Sequence, residues 1–144
     1  MHCDEALAAA LDDEYHARAF YRAVLSAFGN VRPFCHIVES EERHIEALLR
    51  HFERHASAPP PDRWAGRCAA PASLAEACRK AAAAERANAR LYAELLAAAA
   101  DDPALATTFA RLRDASQERH LPAFERCLER ETRRGSNGRH GGCA

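Results

Sequence analysis

The placement of its charged residues restricts this chain most. Four stretches of roughly 25 residues repeat apolar side chains at helical spacing, and each carries an ionisable group near the middle of its own apolar stripe. In the first, Glu14 follows Leu7 and Leu11 and precedes Tyr21 at intervals that keep all four on one side of a helix. In the second, Glu41 stands three or four residues from Ile37, Val38 and Ile45, and His44 shares its face. Glu85 is four residues beyond Ala81 and seven before Tyr92 in the third, and His120 lies four before Phe124 in the fourth. A lone carboxylate in an apolar core is very costly, so groups that converge must neutralise one another or hold cations.

The boundaries of the four elements are marked by their punctuation. Asp4 is a candidate cap for a first helix over about 4–28, ended by Gly29-Asn30. Pro33 fits the first turn of a second helix over 32–56, where its missing N–H costs nothing. Pro59-Pro60-Pro61 stops that element and opens an irregular linker, PPPDRWAGRCAAP, whose Trp64 can fold back over the bundle. Ser73 with Glu76 three residues on forms a capping box for a third helix over 73–99. Asp101-Asp102-Pro103 separates it from a fourth over 103–130. Two short connections and one long crossover, between the second and third helices, predict an all-α antiparallel four-helix bundle over residues 1–131. Residues 132–144, ending GSNGRHGGCA, have nothing apolar to pack and are expected to be disordered.

Composition narrows the functional classes. The chain has 144 residues, enough for one domain with a real core. Lys+Arg 20 against Asp+Glu 21 gives a formal charge of -1, which argues against a broad polyanion-binding surface. The basic tail residues Arg133, Arg134 and Arg139 lack aromatic or folded context, so no nucleic-acid partner is expected. No apolar run approaches the roughly 20 residues of a membrane span, and the first residues lack a basic start before an apolar run. A cytoplasmic setting with no membrane partner follows as the expectation. None of the 6 cysteines forms a CxxC pair, which disfavours a structural zinc knuckle or a thioredoxin-type centre. Cys35, Cys78 and Cys127 read as small buried hydrophobes, with pairing across neighbouring helices or between the termini left open.

The two halves of the chain echo each other. Glu14 to Tyr21 and Glu85 to Tyr92 share one spacing, and Ser40-Glu41-x-x-His44 is mirrored by Ser116-Gln117-x-x-His120. A Glu from each of two helices plus Glu-x-x-His from the other two is a known dinuclear iron or manganese arrangement. A single Glu-x-x-His in a Glu-rich helix means little; agreement among four helices is what points to a metal site. Gln117 breaks the pattern, because an amide offers no bridging negative charge. Glu118 is two residues from His120, roughly 200° around the helix, and faces away unless a kink at Pro122 swings it inward. Tyr21 and Tyr92 read first as core residues and second as supports of the site, while His16 and His36 lie off the metal face.

The stretches DEYHARAFYRAVLSAFG, PFCHIVESEERHIEALL and SQERHLPAFERCLE resemble a small rubrerythrin-related family of the ferritin-like superfamily, over about residues 7–130. The resemblance implies metal ligation by Glu14, Glu41, His44, Glu85 and His120, with Glu14, Glu41 and Glu85 as the catalytic carboxylates. It implies two iron ions, manganese being the alternative, and an oxidoreductase reacting with O2 or peroxide, with Fe(II) itself as a candidate substrate. The paired CxxC motifs of a rubredoxin centre are absent, so an external electron donor is expected. A non-catalytic metal-binding or structural bundle is the alternative, and a homodimer is the default assembly.

Overall fold

The apolar stripes fold as their spacing predicts. The computed structural model describes residues 1–135 together with Gly142 and Cys143. Among them α1 runs Cys3–Phe28, α2 Phe34–Arg54, α3 Leu74–Ala98, α4 Pro103–Ala115 and α5 Leu121–Arg134. A single π-helical turn, Ser116–His120, joins α4 to α5, so these three make one long fourth rod.

The ends follow local chemistry. Ser73 Oγ accepts the Glu76 N–H at 3.1 Å, and Asp102 Oδ1 accepts the Leu105 N–H at 3.2 Å just before Pro103. Glu76 does not complete the capping box, since its carboxylate turns to Arg79 instead. Asp4 is not a cap; α1 begins one residue before it and Asp4 serves in the acidic first turn, where it favours the helix dipole. Gly29, at φ 84, closes α1 in a region that side chains other than glycine's rarely enter, and its N–H reaches Leu25 O at 2.9 Å.

The core is divided into two apolar clusters. One holds Leu7, Leu11, Leu48, Phe52, Leu95 and Phe109; the other holds Val24, Phe34, Leu74, Ala81, Phe124 and Cys127. Going along the chain, α1 passes from the first cluster to the second and α2 returns. Then α3 again starts in the second cluster, and the fourth rod ends there. The link between α2 and α3 therefore travels the length of the bundle, and α2 and α3 run parallel. This is an all-α four-helix bundle of ferritin-like topology, with α1 packed chiefly on α2 and α3 on α5.

The crossover is fastened to α1 by polar and aromatic contacts. Arg18 bridges Glu42 at 2.9 Å and Asp62 at 3.0 Å, Arg63 holds Asp12 at 2.8 Å, and Trp64 stacks on His16 at 3.9 Å between ring centroids. Trp64 also donates its indole N–H to Asp12 at 3.1 Å, folding back over the bundle as its sequence position suggests.

The cysteines depart from the reading of Cys35, Cys78 and Cys127 as inert thiols. Cys78 on α3 is joined to Cys127 on α5 as a disulfide with Cα atoms 6.0 Å apart. Cys35 is joined to Cys143, with Cα atoms 6.4 Å apart. Gly142 forms a β-bridge with Val31, and the Cys143 N–H donates to Asn30 O at 2.9 Å. Helix α5 continues to Arg134. Of the tail expected to be disordered, residues 136–141 and 144 lie outside the described residues.

Candidate metal centre

Between the two apolar clusters lies a layer of ionisable side chains, one or two from each rod. Glu14 on α1, Glu41 on α2, Glu85 on α3 and His120 on the π-turn are all buried, and His44 on α2 is nearly so. Each stands where its helix leaves one apolar cluster and enters the other, which is why the ligand-type residues come to one level.

The geometry gives two triads that share one carboxylate. His44 Nδ1 lies 3.5 Å from Glu14 Oε2 and 3.7 Å from Glu41 Oε2. His120 Nδ1 lies 3.3 Å from Glu41 Oε1 and 3.4 Å from Glu85 Oε1. Glu41 therefore turns one oxygen toward each triad. In both groups the candidate ligand atoms all fall within 4.8 Å of one another. The two imidazoles stack with their centroids 5.7 Å apart.

The residues fit a metal pair on an observation independent of the sequence motif. Glu41 Oε2, His44 Nδ1 and His120 Nδ1 are buried and have no hydrogen-bond partner. All three belong to the shared layer, and orphaned polar atoms of this kind are costly in an apolar core. Among the described residues no Lys or Arg forms an ion pair with the three glutamates. Three buried carboxylates whose only basic neighbours within ion-pair distance, among the described residues, are two imidazoles are a donor set for divalent cations.

The surrounding hydrogen bonds hold the carboxylates crosswise. Tyr21 on α1 donates to Glu85 Oε1 on α3 at 2.8 Å, and Tyr92 on α3 donates to Glu14 Oε1 on α1 at 2.9 Å. Both phenols are buried; burial first, then the Glu85 charge at Tyr21 and the Asp13 charge at Tyr92, raise their pKa values well above the ordinary range, so they remain donors. Outside the layer, Ser40 Oγ lies 3.1 Å from His120 Nε2 and 3.4 Å from His44 Nε2. One hydroxyl thus meets the outer nitrogen of both imidazoles and leaves each Nδ1 facing inward.

Burial raises the Glu41 carboxyl pKa, but the flanking His120 and His44 imidazoles outweigh it, and the group ends below its ordinary value. His120 is displaced the other way: burial disfavours its charge, while Glu41 and Glu85 more than compensate and raise it. Asp13, beside Glu14 in sequence, is pushed up to about 7 by burial and then by the Glu41, Glu85 and Asp12 charges. This fourth acid near the layer was not singled out from sequence. Its position one residue off the apolar stripe gave no signal.

The fourth rod carries the break in symmetry. Pro122 cannot donate a hydrogen bond to the carbonyl of residue 118, and the chain widens by one residue at that level, with the Leu121 N–H reaching back to Ser116 O. His120 stays inside, whereas Glu118 is exposed and does not join the layer. Gln117 turns its amide nitrogen to the Glu85 backbone carbonyl and to Ser116 Oγ, the latter at 3.0 Å. Ser116 in turn donates to the Glu85 carboxylate. Where the first repeat places Glu41, a carboxylate common to both triads, the second places a backbone-anchoring amide. His16 and His36 are exposed, as their helix positions imply.

No family model matches the sequence. No curated protein matches it either. Solved structures do resemble it. A bacterioferritin from Desulfovibrio desulfuricans, described for its diiron site in different catalytic states, superposes with a TM-score of 0.81 at 20% identity, covering 93% of this chain and 82% of that one. A hypothetical protein from Methanococcus jannaschii gives 0.77 at 19% identity, over 88% of this chain and 79% of that one. The Mycobacterium tuberculosis bacterioferritin BfrA gives 0.74 at 16% identity, over 94% and 91%. Likeness at this level of identity speaks to the fold. The chain has a ferritin-like, bacterioferritin-like four-helix architecture with a buried carboxylate–histidine cluster at its centre.

Proposed function

We propose that this protein is a carboxylate-bridged dinuclear metal protein of the rubrerythrin-related kind, an oxidoreductase that reacts with O2 or peroxide and takes Fe(II) as a candidate substrate. The observation that carries the reading is the division of Glu41 between two triads, Glu14–Glu41–His44 and Glu41–Glu85–His120. Glu14 and His44 would hold one ion, Glu85 and His120 the other, and Glu41 both. Iron is the first candidate, with manganese the alternative, because oxygen and imidazole donors suit either. A bound pair of redox-active ions supplies two electrons at one place, which suits the reduction of O2 or peroxide.

The chain's own residues supply the setting. Tyr92 holds Glu14 by Oε1 and leaves Oε2 facing His44, while Tyr21 and Ser116 hold one Glu85 oxygen each, Oε1 being shared between Tyr21 and the side facing His120. Ser40 holds the imidazole edges, and the two apolar clusters restrict water above and below. Glu14, Glu41 and Glu85 are the carboxylates assigned to catalysis, since they alone can change how they share charge. An external electron donor would re-reduce the site, and a homodimer is the proposed assembly.

A cytoplasmic setting is proposed with one observation against it. The Cys78–Cys127 and Cys35–Cys143 pairs are of a kind that persists in oxidising compartments. Mass spectrometry of alkylated protein from its native compartment decides the matter: four protected cysteines would rule out a reducing location. Among the described residues no helix is long and apolar enough to cross a membrane.

A second reading is favoured by Gln117. Its engagement with the Glu85 backbone leaves the layer with three glutamates, consistent with a metal-binding bundle that does no redox chemistry. Anaerobic loading with Fe(II), followed by titration with O2 and with peroxide, separates the two. The oxidoreductase reading expects iron oxidation well above the rate for free Fe(II). Stoichiometric metal without accelerated oxidation would select the non-catalytic bundle.

A further inference from the structure

On the side of the layer away from α3, the seam between α2 and the fourth rod opens into a cleft of about 430 Å³. Its floor is Ser40, His44 and His120, the outer edge of the imidazole pair. Its rim is Arg43 from α2, Arg111 from α4 and Arg119 from the π-turn. All three arginines are exposed, and none makes an ion pair or hydrogen bond among the described residues. Arg18, Arg54 and Arg63, by contrast, are each neutralised by a carboxylate. Three guanidiniums from three elements have therefore been gathered at one opening without acids to balance them.

Such a rim repels cations, so this cleft is ill suited to admit a divalent ion. It matches an anion instead. Guanidinium forks present paired N–H donors that fit carboxylate and phosphate oxygens, and the Ser40 hydroxyl adds a polar group at the floor. The volume lies within the range of small-molecule sites and suits a single small acid. The geometry points to an anion subsite in which Arg43, Arg111 and Arg119 hold a phosphate or carboxylate group against the outer edge of His44 and His120. It would place an anionic co-substrate beside the candidate metal centre. The subsite itself stands apart from that reading, because none of the three arginines belongs to the carboxylate layer.

The test is calorimetric titration of the full chain with inorganic phosphate and, separately, with succinate, at low ionic strength, before and after chelation. Saturable one-to-one binding is expected for at least one probe, and it should survive chelation. Preference for phosphate would identify an inorganic oxyanion as the ligand; preference for succinate would identify an organic acid. The double variant R111Q/R119Q should weaken binding at least about tenfold while its melting temperature stays unchanged, and Arg90→Gln should leave binding intact. Three results would overturn the proposal. One is no saturable binding of either probe; another is affinity kept within about twofold in R111Q/R119Q. The third is binding that chelation abolishes and the arginine variant leaves alone, since that places the anion on the metal.

Discussion

Tyr21 on α1 donates its hydroxyl to Glu85 on α3 at 2.8 Å, across the centre of the bundle rather than along its own helix. Tyr92 returns the same contact to Glu14 at 2.9 Å. The equal spacing of Glu14–Tyr21 and Glu85–Tyr92 thus encodes an exchange of partners between the two halves. Each tyrosine supports the glutamate of the opposite hairpin.

The exchange makes Tyr21→Phe a sharp probe. The variant keeps the ring in the apolar cluster but removes a donor from a buried carboxylate, at a cost of about 1.5–3 kcal/mol for a hydrogen bond to a charged group. Denaturant unfolding of the metal-free protein should show that loss. Metal affinity should fall as well, because Glu85 would be held through Oε2 alone, by Ser116 and Asn88, with Oε1 released. Unchanged values of both would mean that the contact contributes only packing.

Ser40 is predicted to act through the imidazoles. Ser40→Ala removes the hydroxyl that meets both Nε2 atoms and frees each ring to present either nitrogen inward. Loss of a partner of this kind lowers metal affinity by about 10- to 100-fold. Competition titration against a chromophoric chelator measures it, and Ser40→Thr, which keeps the hydroxyl, should recover most of the affinity.

A pH effect is expected at the far end of the bundle. His55 lies between Asp4 at 2.9 Å and Asp102 at 2.8 Å, and Arg54 also holds Asp102 at 2.8 Å. The hydrogen bond to Asp4, partly opposed by burial and aided by Asp102, raises the His55 pKa above its ordinary 6.5. Its contribution to stability is complete below pH 6.5 and is lost as the pH rises through the raised value. Burial works against the charge of Asp102, but Arg54, the Leu105 N–H and His55 hold its pKa down to about 2. That contribution is complete above an ordinary 3.8 and is lost as the pH falls toward 2. The network is therefore strongest between about pH 4 and 6.5. His55→Gln should flatten the decline in melting temperature on the alkaline side of that window and only reduce the acid limb, which Arg54 and the Leu105 N–H still support.

Much of this arrangement was legible in the sequence. Glu14, Glu41, Glu85 and His120 announced themselves by occupying positions that the helical period reserves for apolar side chains. The long Pro-rich link between the second and third helices gave the topology. What stayed hidden depends on contacts between distant elements. The crossing of the tyrosines needs the relative placement of α1 and α3, and cysteine pairing cannot be deduced from spacing. The π-turn was foreshadowed by Pro122, but a kink and a one-residue widening have opposite consequences for Glu118, and local sequence does not choose between them. Arg43 and Arg119 hold the same place in the two mirrored repeats, one residue before His44 and His120, but Arg111 lies outside both, and only the packing of α2 on the fourth rod brings the three to one opening.

Glu41 is proposed to serve two ions at once. This double role is tested most directly by the metal content of the wild-type chain and of Glu41→Gln at equilibrium with Fe(II) under anaerobic conditions, with circular dichroism confirming that both are folded. About two ions per wild-type chain are expected, with loss of tight binding at both positions in the variant. A wild-type chain that holds no stoichiometric metal, or a variant that binds as the wild type does, would contradict it.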